Sequence, residues 1–163
     1  MQKAYRPDID GLRALAVVPV VLFHAGVPWI TGGFIGVDVF FVISGYLITS
    51  IIAGEMEAGT FSILGFYERR IRRIIPALVV VTAASCVLAW LYFMPVELEA
   101  FGRSVVATML SGSNFLFWKG VGYFEAGFEF TPLLHTWSLA VEEQFYMVFP
   151  LILLALRRWQ AKR

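Results

Sequence analysis

Arg13 and His24 are the first residues in this sequence on which chemistry could be built. Both lie in Arg13–Ile30, RALAVVPVVLFHAGVPWI, an apolar run with an arginine at its start and an imidazole inside it. An α-helix advances 100° and 1.5 Å per residue, so eleven residues make about three turns and put the two side chains on one face about 16 Å apart. A bilayer penalises ionisable groups, and those it retains face a bundle interior, a water-filled cavity or a site. Imidazole titrates near neutral pH, so His24 can take a proton from a hydroxyl and return it to a leaving group. A nearby carboxylate would fix its tautomer and stabilise the charged ring; the candidates are Asp38, Glu142 and Glu143. The bland alternative for His24 is helix packing with a hydrogen bond across a bundle.

A second kind of chemistry is available in FYERRIRRIIP, Phe66–Pro76. Arg69, Arg72 and Arg73 fall at i, i+3 and i+4 of an amphipathic helix and share a face, with Arg70 beside them. Guanidinium forks suit multidentate recognition of phosphate, so a diphosphate donor would find its counter-charge here. The competing reading is topogenic: the arginines hold a loop in the cytoplasm and touch anionic lipid.

Other residues invite weaker readings. Asp8 and Asp10 favour a helix amino terminus, and Pro19 removes a backbone hydrogen bond below His24. Gly32, Gly33, Gly36 and Gly45 permit close helix approach. Ser44, in VISG, lacks the strained G-x-S-x-G elbow of a nucleophilic serine, so small-residue packing is the expectation. His135 and Trp137 read as interfacial residues. Two histidines this poorly spaced make no metal site.

The elements that must position these groups are membrane helices. The 163 residues are 59% hydrophobic and 15% charged, against roughly 45–50% and 25% in a soluble domain. Net charge is +1, and no basic-aromatic pattern points to nucleic acid. The single cysteine, Cys86, cannot form an internal disulfide. The first apolar run carries charges and lacks a small-residue cleavage site, so it is expected to stay as a signal anchor. Runs of about 20 apolar residues cross a bilayer; the expected spans are 14–30, 34–53, 77–94 (with Pro76 at its first turn) and 137–156. Residues 104–118, interrupted by Ser111, Gly112, Ser113 and Asn114, read as a re-entrant or interfacial helix, and residues 54–76 as a cytoplasmic arginine-rich loop. The fold expected is thus all-α, a polytopic bundle of about four spans.

The distribution of positive charge orients it. With four spans, Lys3, Arg6, Arg13, Arg69, Arg70, Arg72, Arg73, Arg157, Arg158, Lys162 and Arg163 are cytoplasmic, and only Arg103 and Lys119 lie outside. A fifth span would spoil that asymmetry. Both termini are then cytoplasmic, in a cell inner (plasma) membrane. Helical rise puts His24 about 9 Å, Asp38 about 6 Å and the two glutamates about 7–9 Å below the outer surface. Three spans would so deliver ionisable groups to one depth.

The stretches RPDIDGLRALAV with the downstream FHAG, GGFIGVDVFFVISGYLI, FYERRIRRIIPAL and PLLHTWSLAVEEQFY resemble the acyltransferase-3 family of membrane-bound O-acyltransferases. That family modifies exported polysaccharides, lipopolysaccharide O-antigen and peptidoglycan. The motifs occur in family order and cover nearly the whole chain. The resemblance implies a ten-helix membrane domain, acetyl-coenzyme A or another acyl-coenzyme A as donor, and a glycan or glycolipid hydroxyl as acceptor. It also implies that the Arg13–His24 pair is central to activity. Arg69, Arg70, Arg72 and Arg73 resemble the family's proposed coenzyme A contact, and Glu142 and Glu143 match its later acidic pair. Family domains are longer, so the chain corresponds to the amino-terminal half, with the remaining helices expected to complete the bundle. The mechanism expected has Arg13 guiding a thioester inward and His24, oriented by Glu142 or Asp38, activating a sugar hydroxyl near the outer leaflet. A proton-coupled transporter or flippase, or a structural remnant that pairs with another membrane chain, are the rival readings.

Overall fold

The computed structural model describes residues 7–120 and 131–160. Lys3, Tyr5, Arg6, Lys162 and Arg163 lie outside them. Every element among the described residues is an α-helix: α1 (Pro7–His24), α2 (Ile35–Glu57), α3 (Ile63–Tyr92), α4 (Pro95–Met109), α5 (Ser113–Gly120) and α6 (Thr136–Gln160). Of these, α2, α3 and α6 are long and apolar enough to cross a membrane. At 18 residues, α1 is about 27 Å long, close to the hydrocarbon thickness, but its first two turns carry Asp8, Asp10 and Arg13. The spans face outward with apolar side chains such as Val42, Val80, Leu88 and Trp90. That is the surface a hydrocarbon solvent allows, because lipid tails are as apolar as leucine. The chain forms two compact units, one up to Thr60 and one from Phe61.

In the first unit, α1 begins at Pro7, whose missing N–H would be unsatisfied at a first helical position anyway. Asp8 and Asp10 follow in the first turn, where the helix dipole favours negative charge. The helix stops at His24, six residues short of the expected Ile30. The reason is local: Gly26 adopts φ +74°, its N–H bonds Phe23 O at 3.1 Å, and Val27 N–H bonds Leu22 O at 3.1 Å. These are the paired bonds of a left-handed glycine cap, and Pro28 follows. The antiparallel α2 then packs on α1 through glycine. A Cβ at Gly33 would stand 2.2 Å from Pro19 O, and one at Gly36 2.0 Å from Ala16 O. Backbone meets backbone there. Gly45, expected to do the same, has nothing within 4 Å of its notional Cβ. Ser44 is buried in α2.

In the second unit, the expected loop up to residue 76 and span from 77 are largely one element. Ser62 caps α3, its Oγ accepting Gly65 N–H at 3.2 Å, and the 30-residue helix runs straight through Pro76. The chain turns at Phe93–Met94 into α4, where Pro95 occupies the first turn and Glu97 Oε2 accepts Met94 N–H at 2.7 Å. Ala89, Phe101 and Leu133 form a core there with Phe93, Leu98 and Val105. The sequence expectation of an interruption within 104–118 is met at Leu110–Gly112, between α4 and α5, where Ser111 has φ +53°.

Polar side chains hold α4 and α5 to α6. Thr108 and Thr136 hydroxyls pair at 2.9 Å, and Ser113 Oγ donates to Thr136 O at 2.9 Å. Asn114 and Gln144 exchange amide bonds at 3.2 and 2.9 Å. In an apolar surround each such group must find a partner within the protein. Further along, Tyr67 OH donates to Met147 O at 2.8 Å. With Ala89 beside Leu133, this contact makes α3 and α6 antiparallel. The arginine-bearing start of α3 and the Arg157–Arg158 end of α6 therefore lie at the same end of the unit.

Candidate functional site

The first unit carries Arg13, His24 and Asp38. His24 ends α1 and is exposed, and its Nδ1 lies 2.8 Å from Val20 O. A carbonyl oxygen only accepts, so Nδ1 bears the proton and, in the neutral ring, Nε2 bears the lone pair. The tautomer that a carboxylate was expected to fix is fixed by the helix's own backbone. The Phe23 ring stands edge-on to the imidazole at 5.3 Å. Arg13 lies on the same continuous helix, half-buried, with its guanidinium 5.1 Å from the centre of the Phe40 ring.

Asp38 does not share the level of His24. Gly33 opposite Pro19, Gly36 opposite Ala16 and Arg13 over Phe40 set the register of the two helices. Asp38 then falls opposite the neighbourhood of Leu15, about two residues or 3 Å from the level of Arg13. His24 lies about nine residues, or 13 Å, further along the axis. The equal-depth expectation counted from Ile30, and a helix that ends at His24 removes its starting point.

The second unit carries the arginines and the glutamates. Arg69, Arg72 and Arg73 are exposed on α3, and Arg72 pairs with Glu68 at 2.7 Å. Arg70 turns the other way. Its guanidinium packs 5.7 Å from the Phe66 ring centre and 5.6 Å from that of Tyr146. Its Nε is buried without a hydrogen-bond partner among the described residues. On α6, Glu142 accepts a short hydrogen bond from Tyr146 OH, and Glu143 accepts a short one from Ser111 Oγ.

Arg70, Ser111 and Glu143 line one cleft of about 520 Å³, with Tyr67 and Tyr146 beside them and Ile71, Ile74, Ile75, Met147 and Leu151 as its apolar wall. Its size is that of a small-molecule site, where a few polar groups orient a ligand against apolar walls. The sequence put the arginines in the cytoplasm and the glutamates near the outer surface. Instead Arg70 and Glu143 line the same cleft, because the arginine-bearing segment is the first half of α3 and Tyr67 on it bonds Met147 of α6. Ser111 was visible only as a helix interruption; the S-G-S-N run that broke the apolar period was its signal. Asn114 belongs to the same run, while Gln144 and Tyr67 left no signal. Among the described residues no three His, Cys, Asp or Glu are grouped to hold a metal ion.

A family model described as an acyltransferase domain matches residues 6–163. The peptidoglycan O-acetyltransferase OatA of Listeria monocytogenes is 42% identical over 159 residues, covering 96% of this chain and 25% of that protein. The O-acetyltransferase OatA of Staphylococcus aureus is 42% identical over 151 residues, covering 91% of this chain and 25% of that protein. The chain thus spans a quarter of the length of these curated relatives. No solved structure matches it.

Proposed function

Because the chain belongs to the acyltransferase-domain family over residues 6–163, we propose that it is part of an O-acyltransferase of the plasma membrane. The enzyme moves an acyl group, acetyl in the first instance, from cytoplasmic acyl-coenzyme A to a hydroxyl of a cell-envelope glycan. The name of the Listeria monocytogenes relative favours a glycan of the peptidoglycan kind as acceptor. The observation that carries the reading is the His24 ring, with Nδ1 tied to Val20 O and a lone pair on Nε2. As the acceptor oxygen attacks the acyl carbon, Nε2 takes its proton, and the imidazolium then returns that proton to the leaving group.

The arginines supply the donor's counter-charge. Arg69, Arg72 and Arg73 offer exposed guanidinium groups near the start of α3, and the Arg72–Glu68 pair is of the solvent-exposed kind that exchanges at little cost. Charge asymmetry assigns this end, with Arg157 and Arg158, to the cytoplasm. Arg13, about 16 Å from His24 along α1 towards its amino end, guides the donor inward. Asp38, level with Arg13, belongs with that task rather than with the imidazole.

The test is His24→Ala in the full-length protein, with transfer of labelled acetyl from acetyl-coenzyme A to glycan measured in membranes. Loss of a general acid–base slows transfer by about 10²–10⁴-fold. Transfer at the unaltered rate would rule out His24. A labelled solute that crosses sealed vesicles unmodified and without an acyl donor would favour a transporter instead.

A further inference from the structure

Ser111 is the one non-glycine residue with positive φ among the described residues. The left-handed region crowds a residue that carries a Cβ, and it persists where the surroundings hold it. Here they do. Ser111 O accepts Gln144 Nε2–H at 2.8 Å, and Gln144 is itself locked to Asn114 by two amide bonds. The serine so held, at the break between α4 and α5, donates its Oγ–H to Glu143. It lines the same 520 Å³ cleft as Glu143 and the inward-turned Arg70.

These are the parts of a covalent site: a hydroxyl bonded to a base, a cation for developing negative charge, and an apolar wall that limits water. We propose that Ser111 is a nucleophile that carries the acyl group as an ester between donor and acceptor, with Glu143 as its base and Arg70 as the cation facing the oxyanion. The proposal rests on the acyltransferase reading given above. In the first half-reaction Ser111 Oγ attacks the carbonyl carbon of an acyl thioester as its proton passes to Glu143. The C–S bond breaks and the thiol leaves as thiolate. In the second, an acceptor hydroxyl attacks the ester carbon and gives its proton to the acceptor's base. The bond to Ser111 Oγ breaks, and the serine recovers its proton from Glu143.

The experiment uses the full-length protein in membranes with labelled acetyl-coenzyme A, first without glycan acceptor and then with it. Without acceptor, label stays on the denatured protein, maps to the peptide containing Ser111 and is released by hydroxylamine; added glycan chases it into product. Ser111→Gly removes the hydroxyl yet suits φ +53° better than serine, so it should fold, lose the label and slow transfer by about a hundredfold or more. Ser111→Cys should regain label, now as a thioester. Glu143→Gln should slow labelling. Wild-type transfer with no label at Ser111, or Ser111→Gly transferring at the wild-type rate, overturns the proposal while leaving the acyltransferase reading intact. A slow Ser111→Gly beside a wild type that never labels also overturns it, leaving a serine that only positions Glu143. A wild type that transfers no acyl group at all contradicts the parent reading instead.

Discussion

Gly36→Ala should loosen the amino-terminal helix pair, and the size of the effect follows from the geometry. A Cβ at Gly36 would stand 2.0 Å from Ala16 O, and contacts under 3.0 Å are essentially never seen. The nearest atom is backbone, so no rotamer change relieves the clash. The helices must part by about 1 Å, with loss of the dispersion contacts around the crossing. Overpacking of this kind costs about 1–3 kcal/mol. Gly45 is the matched control, since it lies on the same helix with nothing within 4 Å of its notional Cβ. There alanine gains helix propensity, up to about 1 kcal/mol in water and less in lipid. Thermal unfolding of the two variants in detergent, followed by near-ultraviolet circular dichroism, should place Gly36→Ala below wild type and Gly45→Ala at or above it. Alanine brings the same propensity gain at both sites, so the expected gap is the overpacking cost, about 1–3 kcal/mol. Equal midpoints would refute the close crossing.

Three further substitutions separate the roles of the second unit's polar groups. Arg70→Ala loses the packing between the Phe66 and Tyr146 rings and should destabilise by about 1–2 kcal/mol. Arg72→Ala, in an exposed i, i+4 pair, should stay within about 0.5 kcal/mol; denaturation of both in one detergent checks this. Thr136→Val removes the hydroxyl paired with Thr108. By the same assay it should cost about 0.6–1.7 kcal/mol, the range seen for hydrogen bonds between membrane helices.

Much of this was legible in the sequence, for reasons that differ residue by residue. Long apolar runs announce helices wherever they fall, so α2, α3 and α6 were found to within a few residues apart from the start of α3. That start differs because Pro76 reads as the boundary between an amphipathic cytoplasmic helix and a span, whereas Ser62 caps one helix that contains both. The end of α1 was written in His24-Ala25-Gly26-Val27-Pro28, a glycine cap followed by proline, but hydrophobicity alone carried the reading on to Ile30. Small residues mark close approach only where the partner helix passes, which separates Gly36 from Gly45 and is a matter of register. Ser111 was the least legible, because its conformation depends on Gln144 and Asn114, which come together only in the folded unit.

The proposed chemistry requires the Val20 carbonyl to hold Nδ1 of His24 and leave Nε2 as the working base. Nitrogen-15 NMR of selectively labelled histidine in the membrane-embedded full-length protein, with His24 assigned by substitution, reads that tautomer directly. The expected result is a proton on Nδ1 and an unprotonated Nε2 in the neutral ring. A neutral ring with its proton on Nε2 would overturn the role given to Nε2.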